Sequence, residues 1–364
     1  MRRFRVLVLV EDYPDNNGKV SLMYVHTRNL YYSENNIDVT VLSFEANESY
    51  IFEGIPVITR SEYNKNKLKD KYDLLIVHAA NIRHHYLFLK KNQKDFRRIL
   101  FFYHGHEVLK LNKVYSKPYR YVRRSVIKSK LQDIYDDLKL LIWRKYIPKL
   151  SNKSQFVFVS KWMEDEFYKW TKISPSNLAG KTHITYNCIG KDFETETYKQ
   201  DVPKKYDFIT IRSNLDGSKY AVDLVYKWAQ NTPQAKFLII GKGDFFKQYR
   251  LLDNITWINR TLSHKELLKY LDISRFALMP TRTDAQGLMM CEMAAYGIPV
   301  ITSDIPVCHE IFDGFSNAYL LSNIENRNLN KYLDFNTKCI KDVRFYKKNT
   351  LNNELRIIKN ICRY

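Results

Sequence analysis

Short apolar runs recur along this chain, and polar stretches with helical spacing separate them. Arg5–Val10 is almost wholly Val and Leu, which predicts a parallel strand buried on both faces. A polar turn follows at Tyr13–Gly18, then a helix over about 20–33 and a strand over Asp38–Phe44. Ile55–Thr59, Tyr72–Val77, Arg98–Phe102, Gln155–Ser160 and Thr182–Tyr186 continue the series of strands. Ser160 is placed to cap the helix after it, and the acids at Glu164 and Glu166 suit that helix's positive end. After a charged stretch at Lys191–Lys205, which reads as a linker, the pattern restarts. Strands are expected at Asp207–Ile211, Lys236–Ile240, Ile255–Ile258 and Phe276–Met279, with helices over Tyr220–Gln230 and His264–Leu271. Such alternation predicts α/β architecture: two Rossmann-like, doubly wound domains facing a central cleft, with ligands at the carboxyl ends of the strands.

The expected division is a domain over 1–195, a second over 196–345, and a C-terminal helix over 346–364 that packs back towards the first. At 364 residues, two cores are a better expectation than one.

The stretch Thr281–Asp304 is the richest in chemistry. Asp284 and Glu292 flank Gly287, at which a short helix is expected to start, and Gly297 and Pro299 end that helix. A buried strand, Val300–Thr302, comes next. Asp284 then lies in the loop before the helix and Glu292 about two turns inside it. Between them the free N–H groups of the helix start suit a phosphate. The bland alternative is that Asp284 only caps the helix and Glu292 faces solvent. Glu292 sits in the otherwise apolar run Leu288–Ala295, however, where an unpartnered carboxylate is costly.

Charge narrows the partners. Against 39 acidic residues stand 59 basic ones, a net of +20, which calls for an acidic partner: nucleic acid, an anionic membrane or a phosphorylated substrate. The stretch Glu107–Lys153 holds 13 Lys/Arg and 4 Asp/Glu, a net of +9. Ile127, Leu131, Ile134, Leu138 and Leu141 recur in it at helical spacing. Either these residues pack into a core beneath a basic face, or the helix lies on an anionic membrane surface. Neutralising Arg120, Arg123 and Arg124 separates the two. Nucleic acid is not expected, because no recognisable module or basic–aromatic platform is present. The five cysteines are odd in number and lack a C-x-x-C pair, which argues against a disulfide framework or zinc site and for a reducing cytoplasm. The N-terminal apolar run is too short for a signal peptide, and no stretch approaches a membrane span. A cytoplasmic protein, peripheral on the inner face of the membrane, is the expectation.

Other candidates are fewer. Arg212 and Lys219 flank a strand-to-helix loop and suit a diphosphate, although in a chain this basic ordinary surface charge is the commoner explanation. Gly18 lies in the turn before the first helix. Gly241 and Gly243 lack the third glycine of a dinucleotide fingerprint, so an NAD-type site is not expected. His104 and His106 follow a buried strand in H-G-H-E, where a histidine is structural about as readily as functional. D-x-D is absent from the chain. Neither a metal nor a further cofactor is therefore expected, and a nucleotide-sugar would enter as substrate.

Together these pieces resemble the family 4 glycosyltransferases, retaining enzymes of the GT-B fold. The likeness is most specific over Arg275–Ile311, where Asp284, Gly287-Leu288, Glu292 and Gly297–Ser303 follow the family's order. Val159-Ser160, Tyr186-Asn187, Arg212 with Lys219, and Ile239–Gly243 extend it. The resemblance implies that Asp284 faces the donor sugar's hydroxyls and that Glu292 binds the nucleotide ribose. It implies that Gly287, Leu288 and Met289 offer N–H groups to diphosphate and sugar, and that Arg212 and Lys219 neutralise the diphosphate. Leu262 falls where the family clamps the base, Gly18 in the acceptor domain's glycine loop, and His104 where a histidine touches the donor sugar. Asp284 replaces the commoner Glu, and Gln286 the usual Phe. The reaction implied is metal-independent transfer of a sugar from a UDP-, GDP- or dTDP-linked donor to a lipid-linked glycan acceptor, in bacterial surface polysaccharide, capsule or O-antigen assembly. A GT-B epimerase, a phosphorylase, or a non-catalytic membrane- or nucleic-acid-binding protein remain as alternatives.

Overall fold

The computed structural model describes residues 3–19, 21–65, 71–122, 125–336 and 338–363. Val20, Arg123 and Arg124, to which the sequence drew attention, lie outside them. The chain forms two compact units. One comprises Met1–Lys110, Ile134–Asn187 and Thr350–Tyr364, the other Leu111–Asp133 and Cys188–Asn349.

The first unit is built on strands β1 (Phe4–Val10), β2 (Ile37–Ser43), β3 (Tyr50–Phe52), β4 (Ile55–Ile58), β5 (Leu74–His78), β6 (Ile99–Tyr103), β7 (Ser154–Phe158) and β8 (Thr182–Ile184). Their order is β3-β4-β2-β1-β5-β6-β7-β8, parallel except for the β3–β4 pair. The strand order reverses between β1 and β5, which places the loops after these two strands side by side at a switch point. Val6, Val8 and Val10 point into one core with residues of the neighbouring strands and with Leu355, Ile358 and Ile361 of the C-terminal helix Lys347–Arg363.

The second unit has strands β9 (Tyr206–Asn214), β10 (Phe237–Lys242), β11 (Ile255–Ile258), β12 (Ser274–Met279), β13 (Val300–Ser303) and β14 (Ala318–Leu321). They pair in parallel in the order β11-β10-β9-β12-β13-β14. Here the reversal falls between β9 and β12, so the loops carrying Lys219 and Asp284 leave adjacent strands.

Three expectations need correction. Lys191–Lys205 is not a solvated linker. It holds the short helix Lys191–Thr195, and Phe193 and Tyr198 are buried. The Tyr198 N–H donates to the Tyr296 carbonyl at 2.9 Å, and its hydroxyl to the Ser274 carbonyl at 2.7 Å. Two aromatic anchors in a charged stretch were enough to dock it. Residues 111–133, grouped by sequence with the first domain, count with the second unit. Finally, the helix Val126–Leu150 buries Asp136, Lys139, Leu140, Trp143, Ile147 and Leu150. The more regular apolar series Ile127, Leu131, Ile134, Leu138 and Leu141 is left 46% to 70% exposed. Core packing therefore does not explain that series. No helix among the described residues is long and apolar enough to cross a membrane.

Candidate functional site

At the β9–β12 switch point the chain assembles charge around a helix start. Gly287 adopts φ +74, a conformation that costs glycine nothing, and caps the helix Leu288–Tyr296. A Cβ there would lie 2.0 Å from the Met290 methyl, which would have to swing aside. The N–H groups of Leu288 and Met289 have no acceptor within the helix, as in the first turn of any helix. Gly297, at φ +105, ends the helix with its N–H on the Met293 carbonyl.

Asp284 stands just before this helix. Its Oδ1 accepts the Ala285 N–H at 2.8 Å, and no cationic side chain is bonded to it among the described residues. Glu292 is the fifth residue of the helix, just over one turn inside rather than two. It is buried, and its Oε1 accepts the Gly190 N–H at 3.0 Å. Burial pushes its pKa up to about 7, with the Gly190 bond opposing. A Cβ on Gly190 would lie 2.6 Å from the His264 ring and 3.2 Å from Glu292 Oε1. A side chain at position 190 would require the His264 ring to move. Gly190 was missed by sequence reasoning, since nothing local links residues 102 positions apart.

Arg212, within β9, is buried. Its Nη2 donates to the Pro280 carbonyl at 2.7 Å, whereas its Nε has no protein partner. Burial lowers its pKa, and the nearby Asp284 opposes that shift. Lys219 lies on the turn Ser218–Tyr220 rather than on the helix that follows. Its carbonyl accepts the Arg282 N–H at 2.7 Å and the Thr281 hydroxyl at 3.0 Å, tying the loop after β9 to the loop after β12. Gly241, at φ +153, serves strand packing, because a Cβ would meet the Arg212 carbonyl oxygen at 2.0 Å. Leu262 is buried beside Ser263, whose side chain and Glu266 form a capping box for the helix His264–Asp272. Gln286 is buried with its amide 3.7 Å from Cys291 Sγ.

In the first unit, His104 follows β6. Its Nε2 is 3.0 Å from His78 Nδ1, while its Nδ1 is covered and has no protein partner. Burial holds both imidazoles well below their ordinary range, so both are neutral at pH 7. The Glu107 carboxylate accepts the His104 and Gly105 N–H groups, each at 2.6 Å. Lys139 donates to the His106 and Leu109 carbonyls and to Asp136. His106 thus contributes its backbone to the turn. Gly18 is exposed at φ +92, and its neighbours Asn17 and Lys19 line an open pocket with Asp12, Tyr13 and Tyr50. At the β1–β5 switch point Glu11, Glu45 and His84 bring possible metal-ligand atoms within 4.8 Å of one another. Glu11 already accepts hydrogen bonds from Arg83, Asn81 and His84, so the cluster reads as a closed ion-pair network.

One carboxylate, Asp284, thus precedes the helix start and a second, Glu292, is buried within the helix, with Arg212 and Lys219 on the neighbouring strand and loop. Residues 192–350 match the family described as Glycosyl transferases group 1. This group 1 segment contains both acids, both cations and Gly287. An O-antigen biosynthesis glycosyltransferase from Escherichia coli, WclY, is 26% identical over 158 residues, covering 40% of this chain and 44% of that protein. The chain thus aligns with less than half of that relative's length. A glycosyltransferase from Rickettsia africae superposes with a TM-score of 0.68 at 14% identity, over 99% of both chains. Anabaena HepE, solved with UDP and glucose, gives 0.62 at 14% identity over 99% of this chain and 98% of its own. At that identity the likeness establishes the fold, which is GT-B.

Proposed function

We propose that this protein is a retaining family 4 glycosyltransferase that moves a sugar from a nucleotide-sugar donor to a glycan acceptor. The observation that carries the proposal is the β9–β12 switch point. Asp284, the Leu288 helix start and Glu292 lie in sequence there, beside Arg212 and Lys219. Asp284 accepts hydrogen bonds from the sugar. The N–H groups of Gly287, Leu288 and Met289, with the two cations, receive the diphosphate and stabilise its charge as it leaves. Glu292, ionised, accepts from the ribose hydroxyls, and the backbone at Leu262 meets the base. His104 touches the donor sugar and the turn at Gly18 serves the acceptor. Proton transfer from the acceptor goes to the leaving diphosphate oxygen on the same face, without a metal. Turnover of a panel of UDP-, GDP- and dTDP-sugars tests this. Asp284→Ala and Glu292→Ala are expected to lose most activity while folded, and near-normal turnover by either removes the assignment. The presence of an added divalent cation or a chelator is expected to leave the rate unchanged.

The acceptor is lipid-linked in this proposal, the setting is O-antigen or capsule assembly, and the protein works at the cytoplasmic face of the membrane. Support comes from the exposed series on the helix Val126–Leu150, with Lys128 and Lys130 also exposed beside it. Apolar side chains that insert and cations that meet anionic headgroups are what interfacial binding requires. Sedimentation with phosphatidylglycerol-containing vesicles is expected to capture the protein, and Ile127→Glu with Leu131→Glu to abolish capture. Equal capture of that variant contradicts the membrane role and leaves the transferase role standing.

A further inference from the structure

The cations around the loop after β9 are held in two different ways. Arg282 is neutralised: Asp223 receives its Nη1 at 2.8 Å and its Nη2 at 2.6 Å. Lys219 has no carboxylate partner among the described residues. Its ammonium instead stands over two rings, 4.7 Å from the Tyr220 centroid and 5.2 Å from that of Tyr115. The Arg212 guanidinium shares the Tyr220 ring at 5.1 Å. A ring face attracts and orients a cation without supplying an opposing full charge. A carboxylate in that position would have to be displaced by, or would repel, an arriving phosphate.

Tyr115 comes from a distant part of the chain. It follows the single turn Leu111–Val114 in a segment that is laid along the loop by three further bonds. The Ser116 hydroxyl donates to Ser218 Oγ at 3.0 Å, Tyr119 to Asp223 at 2.9 Å, and Tyr121 to Asp216 at 2.8 Å. Tyr119 is also part of the second unit's apolar core, with Tyr121 packed against it. These bonds tie the segment to the loop and to the first turn of the helix Val222–Gln230.

We propose that Tyr115 is a positioning residue for the donor diphosphate: with Tyr220 it sets the Lys219 ammonium in place while leaving its charge for the phosphates. The proposal rests on the diphosphate role of Lys219 given above. A double-mutant cycle on the full chain tests it, with binding of UDP, GDP and dTDP followed by calorimetry at low and physiological salt. Tyr115→Ala is expected to weaken the preferred diphosphate about 2- to 5-fold, the size of an exposed cation–π contact. Tyr115→Phe keeps the ring face and is expected to bind as the wild type does. Lys219→Ala weakens binding and flattens the salt dependence, and adding Tyr115→Ala to it changes nothing more. A general structural role would instead lower the melting temperature and would add to the loss in the double variant. Additive losses, or a Tyr115→Ala protein that binds normally while Lys219→Ala does not, overturn the proposal. Unaltered binding by Lys219→Ala overturns the diphosphate role itself. Tyr115→Leu, which fills the space without a π face, takes the place of the alanine variant if that fails to fold, with the same expected outcomes.

Discussion

Buried charge is handled in opposite ways in the first unit and at the β9–β12 switch point. In the first unit it is closed on itself. Arg28 and Glu354, both fully buried, meet at 3.1 Å. Arg28 donates further to Asn187 and to the Tyr24 carbonyl, and Glu354 accepts from Thr185 and Tyr32. Lys139 is likewise shared among Asp136 and two carbonyls. At the switch point Arg212 keeps an unbonded Nε, Lys219 rests on rings, and Glu292 accepts one backbone N–H. Full satisfaction holds a scaffold together, and partial satisfaction in a folded protein calls for an explanation, of which a ligand is the simplest here.

Two single substitutions set that contrast against itself. Arg28→Met leaves the Glu354 carboxylate buried without its cation, and about 3–5 kcal/mol of stability is expected to be lost. Denaturant unfolding measures it, and replacing both partners with apolar residues should restore most of it. Arg212→Met strands no buried carboxylate that is bonded to it. Its stability is expected to hold or rise, while affinity for a nucleoside diphosphate falls by about 1.5–3 kcal/mol, as for hydrogen bonds to a charged group. If Arg212→Met unfolds the protein as Arg28→Met does, the distinction between scaffold and site charge fails.

Glu292 gives a comparable effect on a pH axis. Its pKa is raised from the ordinary 4.5 to about 7 by burial. The folded protein therefore holds a proton between these values that the unfolded chain has released, so stability falls as pH rises through this window. The full difference is about 3 kcal/mol, absent below pH 4.5 and complete above 7. Unfolding free energies measured across the window should show this slope in the wild type and lose it in Glu292→Gln. A ribose that hydrogen-bonds the carboxylate favours the ionised form, so nucleotide affinity should increase with pH over the same range. A slope that survives in Glu292→Gln assigns it to another group.

Much of this architecture is legible in the sequence because parallel strands buried on both faces advertise themselves. Val6–Val10, Leu74–Val77 and Phe276–Met279 are continuous apolar runs, and the strands found there agree with expectation to within one or two residues. The helix starting at Gly287 was legible for a similar reason: glycine, a short apolar run, glycine and proline follow one another. What was hidden depends on partners far along the chain. The Gly190 contact of Glu292, and the docking of Tyr115, Tyr119 and Tyr121 on the loop after β9, leave no local trace. The helix Val126–Leu150 misleads in the opposite sense. Its most regular apolar stripe faces solvent, while the buried face is anchored by an Asp–Lys pair that pattern alone assigns to the surface. Periodicity reports that a face is apolar, but not what covers it.

The smallest effect tests whether scaffold contacts are energetically separate from the site. Ser160 Oγ accepts the Met163 N–H at 3.0 Å and caps the helix Lys161–Thr171, as its place in the sequence predicted. Ser160 is fully buried, so its loss cannot be made good by solvent. Ser160→Ala is expected to cost about 1 kcal/mol of stability. Ser160 belongs to the first unit, and its bonds go to Met163 and Glu164 rather than to a proposed donor-site residue. Turnover and donor KM should therefore remain at wild-type values at temperatures well below the melting transition. A raised donor KM with unchanged stability would show that this cap acts on the site, and the separation between closed scaffold charges and open site charges would have to be redrawn around the first unit as well.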